Sequence, residues 1–200
     1  MINCFLYLQI KDKSVEIIIN PSSGVGSSYD QNVEQTILKL KDRGFTVYGY
    51  IHSNYSSRNI NQIKEEIDSY LQLYPQIDGF FIDETATNNF NYYQDIYNYG
   101  HQKGKRIVLN PGRVVPPEYH TIADKIVIFE DKADNLTTKY QIPSNLTNKD
   151  CFLIYGVSDS NTAINIKNYL LNKGASCFYI TDEYPTTWFR VSPYLDLLLR

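Results

Sequence analysis

The chain has 200 residues and a formal net charge of -3; 42% of the residues are hydrophobic and 20% are charged. This length allows a substantial hydrophobic core, and we expect a single domain over residues 1–200. The slight acidic excess argues against a nucleic-acid-binding protein, because no basic stripe is available to contact phosphates. No apolar run reaches the ~18–20 residues of a membrane-spanning helix, so no membrane partner is expected.

Short apolar runs alternate with amphipathic stretches along the whole chain. Most runs are continuous in Ile, Val, Phe and Tyr, which is typical of strands buried on both faces of a parallel sheet. The predicted strands are Val15–Asn20, Thr46–Ile51, Ile77–Asp83, Arg106–Asn110, Lys125–Glu130, Cys151–Tyr155 and Ser176–Thr181, with an eighth candidate at Asn3–Leu8.

Helices are predicted between these strands, since apolar residues recur there at spacings of three and four. Three of the helices end in a basic residue followed by Gly44, Gly104 or Gly174. The cation suits the negative helix end, and the glycine adopts the left-handed cap. Because a strand follows each of these ends, the repeating unit is a strand and a helix, which predicts a parallel sheet.

This pattern predicts a minimal (β/α)8 TIM-like barrel, with an open doubly wound sheet as the structural alternative. The connection from Leu8 to Val15 is much shorter than the dozen residues that a parallel crossover needs. We therefore expect the first βα unit to be shortened or degenerate.

Neither the cysteines nor the histidines predict a metal centre. The three cysteines have no CxxC spacing, and Cys151 and Cys177 each open an apolar run, where we expect them to be small core residues. The three histidines fall on different elements without metal-ligand or triad spacing. No metal and no cofactor are expected.

Acidic and amide residues close three consecutive predicted strands: Asp83-Glu84, Asn110 and Glu130. Sites form at the carboxyl ends of parallel strands, and acids there are costly to bury without a use or a partner. The alternative is that these acids cap helices. Paired carboxylates suit glycoside hydrolysis, in which one acid protonates the leaving oxygen and the other attacks the sugar or activates water. The apolar run Ile126–Phe129 would raise the pKa of the protonated acid.

The segment IIINPSSGVG (residues 17–26) resembles the NPxSGPG signature of the spherulin-4-like proteins, glycoside hydrolase family 135, with Val25 in place of the family's Pro. Further similar segments follow in the family's order, and the resemblance extends from about residue 15 to the C-terminus. These segments are Val47–Ile51 with Tyr55 and Arg58, Ile77–Glu84, Leu109–Gly112, Ala123–Glu130, Thr181-Asp182 and Trp188-Phe189.

The resemblance implies a barrel that cleaves galactosaminogalactan-type polysaccharide as an endo-acting α-1,4-N-acetylgalactosaminidase. Matched to this chain, Asp83 would be the nucleophile of a retaining mechanism, Glu130 the general acid/base and Glu84 a supporting residue. The substrate-binding residues that the resemblance implies are Asn20, Ser23, Tyr50, Tyr55, Arg58 and Asn110. It also implies a secreted or cell-surface protein, although MINCFLYLQIKDKS at the start lacks the features of a signal peptide. We expect the protein to be a monomer.

Two other functions stay open. A non-catalytic carbohydrate-binding barrel would keep the fold and the acids without turnover. The stretch from Asn20 to Gly24 is also similar to the phosphate loop of diacylglycerol-kinase-type enzymes, although no Gly-Gly-Asp-Gly, GxxxxGK[ST] or GxGxxG follows. A predicted helix rich in tyrosine (Tyr92, Tyr93, Tyr97 and Tyr99) is suited either to packing or to stacking on a sugar.

Overall fold

In the part of the chain that the structure describes, eight strands form the framework of the fold, and helices connect most of them. We describe the protein from a computed structural model, which covers residues 3–9 (backbone only), 14–138, 142–184 and 188–199. The strands are β1 (Asn3–Gln9), β2 (Ser14–Asn20), β3 (Thr46–His52), β4 (Gly79–Asp83), β5 (Arg106–Leu109), β6 (Lys125–Lys132), β7 (Asp150–Tyr155) and β8 (Cys177–Ile180).

The helices follow the strands in the order that the sequence predicts. They are α1 (Gln31–Asp42), α2 (Ile60–Leu73), α3 (Phe90–Gln102), α4 (Asn135–Thr138), α5 (Ser160–Asn172) and α6 (Leu195–Leu199), with a 3-10 turn at Pro117–Thr121. The side chains of Asp30, Asn59 and Asp159 cap α1, α2 and α5 by accepting hydrogen bonds from backbone N–H groups. No helix in the described part of the chain is long and apolar enough to cross a membrane.

Strands β2 to β8 are parallel and lie side by side in chain order, which confirms the predicted α/β architecture. Strand β1 is different: it runs antiparallel to β2, from Asn3 opposite Asn20 to Gln9 opposite Ser14. It also pairs antiparallel with β8 and so closes the ring of strands. The open doubly wound alternative is therefore excluded.

The expectation of a TIM-like barrel with a degenerate first βα unit needs correction, because the first unit is a β-hairpin. Only residues 10–13 separate β1 from β2. So few residues allow a tight reversal between antiparallel strands but not a parallel crossover. The barrel thus consists of seven parallel strands and one antiparallel strand.

Alternation along each strand separates two hydrophobic cores. One set of side chains packs between the strands and the helices. The other set, the inner core, contains strand residues packed inside the ring: Ile18, Tyr48, Phe81, Val108, Val127, Cys151, Leu153, Cys177 and Tyr179. Residues on one strand that share the parity of an inner-core residue face the barrel axis.

A buried ion pair lies at the amino ends of the strands. The Lys125 ammonium is 2.7 Å from a carboxylate oxygen of Glu16, and both side chains are almost completely buried. Glu16 precedes the inner-core residue Ile18 by two positions, and Lys125 precedes Val127 by two. Both charged side chains therefore point into the barrel at the amino ends of the strands. Functional sites form at the opposite end, where the strands have their carboxyl ends.

Cys151 and Cys177 form a disulfide between β7 and β8, which corrects the expectation that they are separate core residues. The two residues are partners in the parallel ladder, with Cα atoms 4.6 Å apart. This distance is within the range that a disulfide can span. Sequence spacing gave no indication, because the pairing depends on the register of the two strands.

We predict that reduction of this disulfide lowers the free energy of unfolding by about 3 kcal/mol, because the bond restricts the unfolded chain. Thermal unfolding with and without dithiothreitol measures the effect. A double variant, Cys151→Ala with Cys177→Ala, is the control and should unfold at the same temperature under both conditions. An equal response to dithiothreitol in both proteins would contradict the assignment.

Candidate active site

A cleft of about 370 Å³ lies at the carboxyl ends of β4, β5 and β6. Its walls come from the segments that follow β3, β4 and β5 and from β6 itself. The residues that line it are Tyr55, Asp83, Glu84, Asn110, Pro111, Gly112, Arg113 and Glu130. Five of the nine residues that the resemblance singled out are therefore brought together here.

Strand parity directs three of the site side chains toward the barrel axis. Tyr50, Asp83 and Asn110 each stand two positions after an inner-core residue, which is Tyr48, Phe81 and Val108 respectively. Because successive residues alternate between the two faces, the apolar residue and the polar residue after it face the same interior. The cleft is thus the open end of the inner core.

A β-bulge directs Glu130 into the same space. In the ladder with β7, Val127 pairs with Cys151 and Phe129 pairs with the next residue, Phe152. The extra residue on β6 reverses the alternation, so that Phe129 packs in the outer core and Glu130 lies opposite the inner-core residue Leu153. Without the bulge, the parity of Val127 would direct Asp131 inward instead.

The Asn110 amide connects the two acids. Its Nδ2 atom donates hydrogen bonds to Oδ1 of Asp83, at 2.7 Å, and to Oε2 of Glu130, at 2.6 Å. Its Oδ1 accepts a hydrogen bond from the N–H of Gly112, which fixes the orientation of the amide. Because one nitrogen contacts both oxygens, those oxygens lie no more than twice 2.7 Å apart. This bound applies to one oxygen of each acid and fits the short separation of carboxyl groups in retaining glycosidases, ~5–5.5 Å, better than the ~6.5–9.5 Å of inverting ones.

Asp83 is also held by Tyr50, whose hydroxyl donates a hydrogen bond of 2.8 Å to the second carboxylate oxygen. Burial and the negative charge of Asp83 raise the pKa of Tyr50, so this hydroxyl keeps its proton and remains a donor. Both oxygens of Asp83 thus accept a hydrogen bond from a neutral group. These two bonds fix the orientation of the carboxyl group in the cleft.

Glu130 has a pKa raised to about 7. Burial is the main cause, and the negative charge of Asp83 is the second. Hydrogen bonds from the side chains of Asn110 and Trp188 act in the opposite direction. At neutral pH a large part of the molecules therefore carries a proton on Glu130, as a general acid requires.

The segment after β3 is tied to the end of β4. Ser53 is fully buried, and its single hydroxyl proton is shared between the carbonyl oxygens of Glu84, at 2.8 Å, and Asp83, at 3.0 Å. The N–H of Tyr55 donates to the Glu84 carbonyl at 2.8 Å. Glu84 and three consecutive residues, Asn54, Tyr55 and Ser56, have positive φ. Backbone strain of this kind is retained where the surrounding contacts enforce it, commonly beside functional sites.

Four of the implied substrate-binding residues do not line the acid cleft: Tyr50, which lies behind Asp83 and bonds to it, and Asn20, Ser23 and Arg58, which lie elsewhere. Asn20 accepts a hydrogen bond from the N–H of Gly24 and so closes the turn after β2. Ser23 and Arg58 line a second groove, of about 580 Å³, between that turn and α2. Arg58 is ion-paired there with Glu66 at 2.7 Å.

Neither Asp83 nor Glu130 caps a helix, so the capping interpretation of these acids is wrong for both. Asn89 is the N-cap residue of α3, the helix that follows β4.

The tyrosines of α3 serve packing: Tyr93 is buried, and its hydroxyl accepts a hydrogen bond from the N–H of Ala86. No group of His, Cys, Asp and Glu side chains in the described residues is arranged to hold a metal ion.

Two residues of the site were missed as candidates. Arg113 is exposed at the cleft wall. Trp188 packs on the inner core, with its ring centre 6.1 Å from that of Tyr155 and 6.0 Å from that of Tyr179. Two signals were available for Trp188: it is the only tryptophan in the chain, and it lies in one of the segments that resemble the family.

The family model described as Spherulation-specific family 4 matches residues 6–200. The chain belongs to this family. Its similarity to Spherulin-4 of Physarum polycephalum is 36% identity over 128 residues, which is 62% of this chain and 39% of that protein. The chain thus matches well under half the length of this family relative.

The solved structures that resemble this family member show the same fold. The crystal structure of Aspergillus clavatus Sph3 in complex with GalNAc superposes with a TM-score of 0.81 at 21% identity, and the match covers 94% of this chain and 85% of Sph3. A chitinase from Chromobacterium violaceum superposes with a TM-score of 0.53 at 10% identity, over 88% and 86% of the two chains.

We predict that Glu130→Gln stabilises the protein, and does so more at pH 8 than at pH 4. The folded carboxyl has a pKa raised from 4.5 to about 7, so the folded state binds this proton more tightly than the unfolded state. In the wild type, the protonated Glu130 therefore contributes to the free energy of unfolding at low pH. This contribution is lost as the pH rises from 4.5 through about 7. The difference should reach roughly 1–3 kcal/mol above pH 7.

Thermal unfolding of both proteins between pH 4 and pH 8 checks this prediction. Glu118→Gln, at an exposed acid of the 3-10 turn, is the matched control and should parallel the wild type at every pH. Parallel curves for Glu130→Gln and wild type would contradict a raised pKa at Glu130.

Proposed function

We propose that this protein is a glycoside hydrolase that cleaves an aminosugar polymer by a retaining mechanism with two carboxylates. The observation that carries the proposal is the Asn110 amide, which bonds to one oxygen of Asp83 and one of Glu130 and so keeps the two acids as close together as a retaining pair requires. The most specific form of the proposal is an endo-α-1,4-N-acetylgalactosaminidase acting on galactosaminogalactan-type polysaccharide. The GalNAc bound in the similarly folded Sph3 structure supports the choice of sugar.

In the first step, protonated Glu130 donates its proton to the glycosidic oxygen while Asp83 attacks the anomeric carbon. The C–O bond to the leaving sugar breaks with its electron pair moving to that oxygen, and an ester forms between Asp83 and the sugar. Tyr50 and Asn110 hold the attacking carboxylate in place. We assign Glu84 a supporting role, since it lines the cleft beside Asp83.

In the second step, Glu130 acts as a base. Once Asp83 is esterified, it no longer carries the negative charge that contributes to the raised pKa of Glu130. The pKa of Glu130 therefore falls, and the ionised carboxylate can take a proton from the water that attacks the anomeric carbon. The ester bond breaks, Asp83 leaves as a carboxylate, and both acids return to their starting state.

Substrate binding is proposed for the residues around this pair. Tyr55 offers an exposed ring at the cleft, suited to stacking on the apolar face of a sugar. Ser23 and Arg58 would bind units farther along the polymer, in the second groove. Asn20 would act by holding the turn that forms one wall of that groove.

The phosphate-binding alternative is not favoured by the turn after β2. A carboxylate occupies the place where a phosphate would approach: Glu66 accepts a hydrogen bond from the N–H of Val25. The same carboxylate lies so close to Gly24 that a Cβ atom there would be 2.2 Å from its Oε1. The Glu66 carboxylate, paired with Arg58, thus takes up both the N–H group and the space that a phosphate would need.

We also propose that the protein works outside the cytosol as a monomer. The Cys151–Cys177 disulfide supports this location, because such bonds persist mainly in oxidising compartments. Every proposed step uses side chains of the chain itself, so no metal or cofactor is required.

Product analysis by mass spectrometry tests the activity. We expect oligosaccharides from partly deacetylated galactosaminogalactan with the wild type, and at least ~10²-fold less product with Asp83→Asn or Glu130→Gln. Asp95→Asn, at an exposed acid of α3, should match the wild type. A folded wild type that yields no product but binds the polymer would favour the non-catalytic alternative.

Azide rescue tests the two roles separately, using an aryl glycoside with a good leaving group. Asp83→Ala with azide should give a glycosyl azide of inverted anomeric configuration, because azide replaces the nucleophile. Glu130→Ala should give the retained configuration, because the ester still forms and azide then replaces water. Identical configurations from both variants would contradict the assignment.

The pH dependence of kcat/KM provides a further prediction. Activity should decline above about pH 7, because Glu130 must be protonated in the first step. With an aryl glycoside whose leaving group needs no proton, Glu130→Gln should lose this alkaline decline. A decline that persists in Glu130→Gln would assign the titrating acid to another residue.

A further inference from the structure

Glu183 is a buried acid outside the cleft, and it takes no part in the proposed two-step reaction. It is 6% exposed and lies just after β8. Its carboxylate accepts three hydrogen bonds from consecutive backbone N–H groups, those of Trp188 at 2.8 Å, Phe189 at 2.9 Å and Arg190 at 3.1 Å. The backbone turn at residues 188–190 is thus folded around one carboxylate.

This turn holds Trp188 in a costly backbone conformation. Its φ is +69°, in the left-handed region that a bulky side chain rarely adopts. A residue keeps such a conformation only where other contacts enforce it. The three hydrogen bonds to Glu183 supply contacts of this kind, and hydrogen bonds to an ionised acceptor are stronger than neutral ones.

The Trp188 side chain extends from this turn to the cleft. It packs against the inner core, which Glu130 also faces opposite Leu153, and the indole is close enough to Glu130 to act on the pKa of that carboxyl. Tyr155 and Tyr179 flank the indole at ring-centre distances of 6.1 and 6.0 Å. A continuous set of contacts therefore leads from Glu183 through the backbone of Trp188 to Glu130.

We propose that Glu183 is a positioning residue, whose carboxylate fixes the turn at residues 188–190 so that the Trp188 indole contacts Glu130 and shields it from water. The inference deepens the proposed function, since it concerns the environment of the proposed general acid. The contact itself is a structural property, and it can be measured without any substrate.

The fluorescence of Trp188 reports this contact directly, because the chain contains no other tryptophan. Titration of Glu130 should change the emission of the neighbouring indole, with a midpoint near pH 7. Other charged or titratable groups act on Glu130 or line the cleft with it, and their effect on the emission has to be distinguished from the titration of Glu130. They are Asp83, Glu84, Tyr50, Arg113, Asp131 and Tyr155. The variant Glu130→Gln makes this separation, and its emission should show no transition near pH 7.

In the Glu183→Gln and Glu183→Ala variants we expect the emission of Trp188 to shift to longer wavelength and the transition near pH 7 to disappear. Glu183→Gln keeps the size of the side chain and one accepting oxygen, so its loss should be smaller than that of Glu183→Ala. The control is Asp182→Asn, at the adjacent acid, which pairs with the Arg190 side chain instead of the backbone. It should keep the wild-type emission and transition.

Several results would overturn the proposal. A wild-type transition that persists in Glu130→Gln would show that Trp188 does not sense this acid. Wild-type emission in both Glu183 variants would show that Glu183 does not fix the turn. Loss of cooperative thermal unfolding in both variants would show that Glu183 stabilises the whole fold and does not act specifically on the position of Trp188. Since none of these measurements needs a substrate, the proposed hydrolase activity could fail while the positioning role holds.

Discussion

The shared amide of Asn110 is the interaction on which the site depends. A single nitrogen can bond to both acids only because β5 lies between β4 and β6 and because all three side chains face the barrel axis. A shift of one residue in any of these strands would turn its polar side chain to the outer core. The site therefore follows from strand order and parity more than from loop conformation.

The donors that bind the two acids define their electrostatics. Tyr50, Asn110 and Trp188 are neutral, so they orient the carboxylates without adding the positive charge that would strongly lower a carboxyl pKa. At the opposite end of the barrel, Lys125 neutralises Glu16 directly. The same interior thus contains a charge-compensated end and an end where burial and a neighbouring carboxylate keep Glu130 partly protonated.

Much of this arrangement could be predicted from the sequence, because it depends on local periodicity. The apolar runs located the seven parallel strands, and Asp83 and Asn110 follow inner-core residues at even spacing. Glu130 is different: from Val127, simple alternation selects Asp131, and the bulge that selects Glu130 depends on pairing with β7. Glu130 was predicted as the acid that closes a strand, and the family resemblance gave it a role, but parity alone would not have directed it into the cleft. The disulfide likewise depends on the register between β7 and β8, which spacing along the chain does not reveal.

The antiparallel strand β1 has a consequence for how the chain folds. Its pairing with β2 joins neighbouring segments and can form early, whereas its pairing with β8 joins opposite ends of the chain. Contacts between distant segments incur the largest loss of chain entropy and form slowly. Ring closure is therefore expected late in folding, after β8 has emerged from the ribosome. Between the synthesis of β8 and the closure of the ring, β1 and β8 each present an unpaired strand edge, and another chain can pair with such an edge.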